Sequence, residues 1–302
     1  MDMKTLTSIL IRRSLVWIGL LVSTTWACGQ GVIGEDLVVA LDKPGQSGTL
    51  RMELVNGSIS VVAHDGQEVI ITPQKHTDTS DDDCGGCDDH DHDHDHDHDH
   101  DHDGDHASRE GMTRINTGSS FDITVNQSNN VVRVSTNSWQ ATLDYEVKVP
   151  RNFSLQLKTV NQGHISVRGV NGQHELGNVN GRITAEAIGG SLVANTVNGD
   201  ITATFVSVNK ENPMAFSSLN GTIDLTFPPR TGFDVKLQSQ RGEVFTDFTF
   251  EPMARQPKVE RTGNGSTTQI KLEDWTYGKI NGGGPEYMFK SWHGDIILRK
   301  AK

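Results

Sequence analysis

Cysteine is scarce in this 302-residue chain: Cys84 and Cys87 form one C-x-x-C, and Cys28 stands alone near the N-terminus. Three cysteines exclude a core stapled by disulfides. Hydrophobic residues make up 34% of the chain, below the usual globular share. Long apolar runs are missing as well. Residues 15–22 form one apolar run, less than half of the roughly 20 residues a membrane helix needs. No basic patch points to nucleic acid. There is no G-x-S-x-G, no H-E-x-x-H and no phosphate loop, so the sequence predicts a protein that is not an enzyme.

What is present begins at the N-terminus. Lys4, Arg12 and Arg13 precede the apolar run, and small residues follow down to Ala27. This order reads as a secretory signal peptide over residues 1–29 and predicts export to the periplasm, the cell envelope or the medium. Cys28 leaves two readings open, soluble export and a lipid anchor.

The formal charge of −12 belongs to one segment. Fourteen Asp and no Lys or Arg fall between Thr77 and His106, so the rest of the chain is close to neutral.

Most of the remaining sequence alternates apolar and polar residues in short runs, as in Arg182-Ile-Thr-Ala-Glu-Ala187 and Thr222-Ile-Asp-Leu-Thr-Phe227. Such alternation gives strands with one buried and one solvated face. No stretch shows a helical period. A phrase recurs: Val55-Asn56-Gly57-Ser58-Ile59, Val179-Asn180-Gly181-Arg182-Ile183, Val197-Asn198-Gly199-Asp200-Ile201 and Leu219-Asn220-Gly221-Thr222-Ile223. Looser copies end at Ile165, Val244 and Ile296. Gly163, Gly181 and Gly199 are eighteen residues apart, with later intervals of 22 and 21.

Asn-Gly between strands is a hairpin signal, which would suit a β-sandwich. An even repeat of about 18–22 residues in one strand phase instead predicts an all-β β-solenoid, with Ile165, Ile183 and Ile201 stacked as one inner ladder. The solenoid explains why the phrase repeats and is the preferred architecture. The Asn of each phrase then forms either an amide ladder or simply a turn, and residues 279–302 are the candidate C-terminal cap.

The run Tyr145-Glu-Val-Lys-Val-Pro150, the Val-Asn-Gly-x-Ile copies and Trp292-His-Gly-Asp-Ile296 resemble the DUF4097 adhesin-like family of exported bacterial proteins. The resemblance covers the chain from about Gly48 to Lys302 outside the acidic segment. It implies a solenoid-like fold in the cell envelope and brings no catalytic residues.

The acidic segment is the insertion, residues 76–118, between β-repeat residues 30–75 and 119–302. With little to bury and many repelling carboxylates, its composition predicts disorder. Its chemistry is metal ligation. His90, His92, His94, His96, His98, His100 and His102 alternate with Asp, and His106 follows. Imidazole is the commonest ligand for Zn, Ni and Cu, and flanking carboxylates concentrate cations. Proton competition should weaken binding below about pH 6.5. Cys84 and Cys87 read either as a disulfide or as two further metal ligands. Asp81, Asp82, Asp83, Asp88 and Asp89 oppose the low thiol pKa that a redox pair needs.

Two functions follow as expectations. One is a non-enzymatic, exported, adhesin-like scaffold that binds divalent transition metals through its tract, with no organic cofactor. The other is a structural or adhesive envelope module with an envelope or cell-surface partner, in which the tract is a solvated spacer. His164, His174 and His293 read as solvated turn residues, and Arg182 beside Asp200 as a surface ion pair.

Overall fold

The computed structural model describes residues 34–76, 123–136, 142–161, 163–254, 258–263, 268–273 and 275–302. The signal segment and the tract, including Cys84, Cys87, His90, His92, His94, His96, His98, His100, His102 and His106, lie outside the described residues. No helix occurs among the described residues; they form twenty-two strands.

The strands wind into a β-solenoid with two faces. One face stacks β6 (Val131–Thr136), β2 (Gly48–Asn56), β8 (Phe153–Asn161), β10 (Asn171–Asn178), the second half of β11 (Ile183–Asn198), β13 (Met214–Asn220), β21 (Glu286–His293) and β15 (Phe233–Ser239), all parallel. The opposite face stacks β7 (Leu143–Pro150), β3 (Ile59–His64), β9 (Ile165–Arg168), the first half of β11, β12 (Ile201–Val208), β14 (Ile223–Phe227), β22 (Ile296–Lys300) and β16 (Val244–Thr246). Each Asn-Gly is therefore a corner between the faces. The strands flanking it pair with their copies on neighbouring coils, so the phrase makes no hairpin.

The even repeat does what the alternation requires. Tyr145, Ile59, Ile165, Ile183, Ile201, Ile223 and Ile296 stand in one register, each at most 2% exposed. The expected ladder is present and longer than the three residues that suggested it. Coil length sets what fills the interior. The eighteen-residue coil after Gly181 holds Ala185 and Ala194, whereas the longer ones hold stacked rings: Phe205 on Phe227 at 4.8 Å, and Phe233 on Tyr287 at 4.5 Å.

Glycine at the corner is a steric requirement. A Cβ at Gly181 would lie 2.0 Å from the Gly163 carbonyl oxygen, and one at Gly221 2.0 Å from that of Gly199. The coils approach too closely there for any side chain. Just inside the corner, a buried polar row binds the same carbonyls. The Thr159 hydroxyl donates to Gly57 O (2.8 Å), Asn178 Nδ2 to Gly163 O (3.0 Å), Thr196 to Gly181 O (3.0 Å) and Ser218 to Gly199 O (3.0 Å). Unpaired buried carbonyls are costly, so this row belongs to the fold.

At both ends the spatial order departs from the chain order. Coil β6–β7 stacks outside β2–β3, although it follows it in sequence. Coil β21–β22 slots between β13–β14 and β15–β16. Residues 279–302 are thus mostly interior, which corrects the expectation of a C-terminal cap. Antiparallel strands end the stack instead. At one end these are β5 (Ile123–Ser128) on β6, β4 (Glu68–Lys75) on β7, and β1 (Leu37–Ala40) on β4. At the other end, β20 (Thr276–Ile280) and β17 (Phe250–Met253) lie beyond β15. Antiparallel closure leaves a short, reversed edge that does not template another parallel coil. β18 (Lys258–Gly263) and β19 (Thr268–Glu273) pair as a separate antiparallel hairpin.

Candidate functional site

The segment predicted to bind metal joins the solenoid at its terminal coil. It leaves from β4, which pairs with β7 on one face, and re-enters at β5, which pairs with β6 on the other. Just before the departure, His76 Nδ1 lies 2.9 Å and 3.0 Å from the two carboxylate oxygens of Asp144.

Asp144 begins a row that runs along the corner. One of its oxygens accepts from Ser58 N (2.7 Å), Ser58 Oγ from His164 N (3.1 Å), and His164 Nδ1 from Arg182 N (3.2 Å). Farther along, Asp200 accepts from Thr222 N (2.7 Å) and Asp295 from Glu243 N (2.8 Å). Ser58, His164, Asp200 and Asp295, each directly after a repeat glycine, thus accept from a backbone amide of a neighbouring coil. Arg182 and Asp200 form no ion pair, and Asp200 accepts from Thr222 N instead; that expectation is corrected. Partial burial and the Arg182 charge hold the His164 imidazole below its ordinary pKa, and Asp144 partly offsets them. Among the described residues no three His, Cys, Asp or Glu side chains come together as a metal site.

Two other histidines differ in their surroundings. His293 stands above Asn220 in the corner row, with Arg241 Nη1 2.9 Å from its Nε2. His174 is not a turn residue. It points inward from β10 between Leu155 and Leu192, is 3% exposed, and neither ring nitrogen has a hydrogen-bond partner. Burial pushes its pKa down to about 4; backbone groups of Val170 and Gly189 pull weakly the other way without reaching hydrogen-bond geometry.

A second feature of the surface went unread in the sequence. The apolar residue that opens each phrase faces solvent. Val55, Val160, Val179, Val197, Leu219 and Trp292 occupy six consecutive coils, each between 36% and 52% exposed. At about 4.8 Å per coil they form a stripe about 24 Å long. Beside it the amides do form a ladder: Asn180 Nδ2 donates to Asn161 Oδ1 (3.1 Å), Asn198 to Asn180 (2.8 Å) and Asn220 to Asn198 (2.8 Å). None of these Asn has a positive φ, so the alternative turn role falls to the glycines. Only the phase of the preceding strand points to it: Val55 falls two residues after exposed Glu53 and one after buried Leu54. On the same face a groove of about 440 Å³ is lined by Gln156, Gln173, Glu175, Ser191, Asn212 and Pro213, among others. Part of its wall comes from the longer loop before β13, where the glycine interval grows from 18 to 22.

No family model matches the chain, so the DUF4097 resemblance rests on the residues that carry it. No curated protein matches it either. A solved structure described as that of a putative cell adhesion protein from Clostridium sporogenes shares 8% identity, over 89% of this chain and 100% of that chain, with a TM-score of 0.40. Similarity at that level carries no argument about function. No helix among the described residues is long and apolar enough to cross a membrane.

Proposed function

We propose that this chain is an exported, non-enzymatic, adhesin-like β-solenoid that binds divalent transition metals through the Asp/His tract. The observation supporting this reading is where the tract is attached. Its two anchoring strands, β4 and β5, lie on opposite faces of the same terminal coil, while the coils on either side of β2–β3 pair without interruption. A metal-loaded segment at that position leaves the register of the scaffold untouched. Zn, Ni or Cu would be held by His90, His92, His94, His96, His98, His100, His102 and His106, with Cys84 and Cys87 as thiolate ligands where they are not oxidised to a disulfide. Calorimetric titration of the untagged mature protein with each metal, beside a variant lacking residues 77–106, tests the reading. Multi-site binding lost with the deletion supports it; binding that survives the deletion overturns it.

A second reading has its own observation. The exposed stripe from Val55 to Trp292 is a continuous apolar surface of the kind that marks interaction sites. On that reading the chain is a structural or adhesive envelope module and the tract only a solvated spacer. Surface display of the two forms separates the readings: adhesion that survives removal of residues 77–106 and is lost with Val179→Lys supports the second.

A further inference from the structure

Opposite charges are matched between coils over much of the outer surface. Arg168 Nη2 meets Glu186 at 2.6 Å, Arg299 Nε meets Asp224 at 2.8 Å, and Lys158 lies between Glu53 (3.8 Å) and Glu175 (3.9 Å). Arg51 and Arg133 break that pattern. Arg51 on β2 and Arg133 on β6 are direct partners across a parallel ladder, about 4.8 Å apart at their backbones. Both side chains are exposed, and neither forms an ion pair with a described carboxylate. Like charges placed directly opposite each other destabilise a sheet, and an anion between them would relieve that repulsion.

The two arginines flank a cavity of about 270 Å³ whose lining is completed by Asn126, Gln127, Ser128 and Val131. Asn126 pairs with Arg133 across the antiparallel β5–β6 ladder, and Ser128 pairs with Val131, so an amide and a hydroxyl share the outer face with the two guanidinium groups. Among the described residues the lining contains no carboxylate.

We propose that this cavity binds a doubly charged tetrahedral oxyanion, a phosphate or sulfate group. One guanidinium fork satisfies both oxygens of a carboxylate, which would leave the second arginine without a partner. A tetrahedral dianion presents oxygens to both forks and cancels both charges. Size agrees. At about 270 Å³ the space is just under the roughly 300 Å³ at which pockets begin to take whole ligands. It therefore takes one charged group, with the remainder of any larger ligand outside. That group is either a free ion or an ester on a polymer.

The test uses the full chain in chelator-treated buffer, titrated with inorganic sulfate, inorganic phosphate and acetate, and separately with dextran sulfate against uncharged dextran. Sulfate and phosphate should bind at one site, with acetate roughly ten-fold weaker or worse, and Arg51→Gln or Arg133→Gln should each weaken sulfate binding roughly ten-fold. Tighter binding of dextran sulfate than of free sulfate identifies a polymer-borne group; the reverse identifies a free ion. A thermal readout guards against general salt effects: sulfate should raise the wild-type midpoint over chloride at equal ionic strength by more than it raises that of the double variant, since exclusion of sulfate from the surface acts on both. An equal increment in the double variant, or acetate binding as tightly as sulfate, overturns the proposal.

Discussion

The ring of His174 on β10 stands in register with Leu192 on the next coil, inside the solenoid. A titratable group in that position links the core to pH. Its folded pKa of about 4 lies below the ordinary 6.5, so the unfolded chain takes up the proton first. The stability carried by the neutral ring is complete above pH 6.5 and is lost as the pH falls toward 4. The difference corresponds to roughly 3 kcal/mol. His174→Leu, which continues the leucine row, should raise stability more at pH 5 than at pH 7.5. Urea unfolding at the two pH values measures this; an unchanged gap between them would sink the assignment.

Glycines within the coils and in the connecting turns differ in why they are needed. Gly190 has φ +98° and a Cβ there would lie 2.0 Å from Gly172 O, whereas Gly45 has φ +80° and open space around it. Gly190→Ala should therefore cost about 2–4 kcal/mol, combining overpacking with backbone strain. Gly45→Ala should cost about 1–2 kcal/mol from backbone strain alone. Thermal midpoints of the two variants give the comparison, and equal losses would show that coil contact does not constrain Gly190.

Inner and outer rows should respond very unequally to truncation. Ile201 is fully buried in its ladder, and Val197 is 37% exposed. Ile201→Ala is expected to lose about 2–5 kcal/mol, and Val197→Ala no more than about 0.5 kcal/mol. Denaturant titration resolves a gap of that size easily, and a large loss at Val197 would mean the stripe is covered within the chain.

The amide ladder predicts coupling between coils. Asn198 donates to Asn180 and accepts from Asn220. Asn198→Ala should cost about 1 kcal/mol, since each exposed bond is worth about 0.5–1.5 kcal/mol at most. In a double-mutant cycle with Asn180→Ala the two losses should be less than additive; strict additivity would leave the ladder with no energetic role.

Much of this fold was legible because its most regular part repeats every eighteen residues, an even number. Ile165, Ile183 and Ile201 share a strand phase, and that phase alone places them on one inner row. His174 shares its phase with Leu176 and could have been placed inside on that ground, but its polar neighbours Gln173 and Glu175 obscured it. Partner choice at the ends was not legible. Strands such as β5, β17 and β20 lack the phrase, so nothing local says which edge they join. The exposed stripe was hidden for a different reason: an apolar residue reads as core until the corner beside it is known to turn outward. The metal-binding expectation concerns residues outside the described structure, and its site was read from composition alone.

The displaced coils also constrain how the chain reaches its native state. A simple solenoid can zip from any nucleus, one coil after the next. Here β14 pairs with β22, and β22 in turn pairs with β16, although β16 is made some fifty residues earlier. Zippering that follows synthesis would reach β14 and find its true neighbour not yet present. β15–β16 must therefore wait, or dock and reopen, until residues 286–300 arrive. Removing β21–β22 would accordingly not shorten a rod by its last rung; it would leave a gap between two rungs that have no pairing with each other.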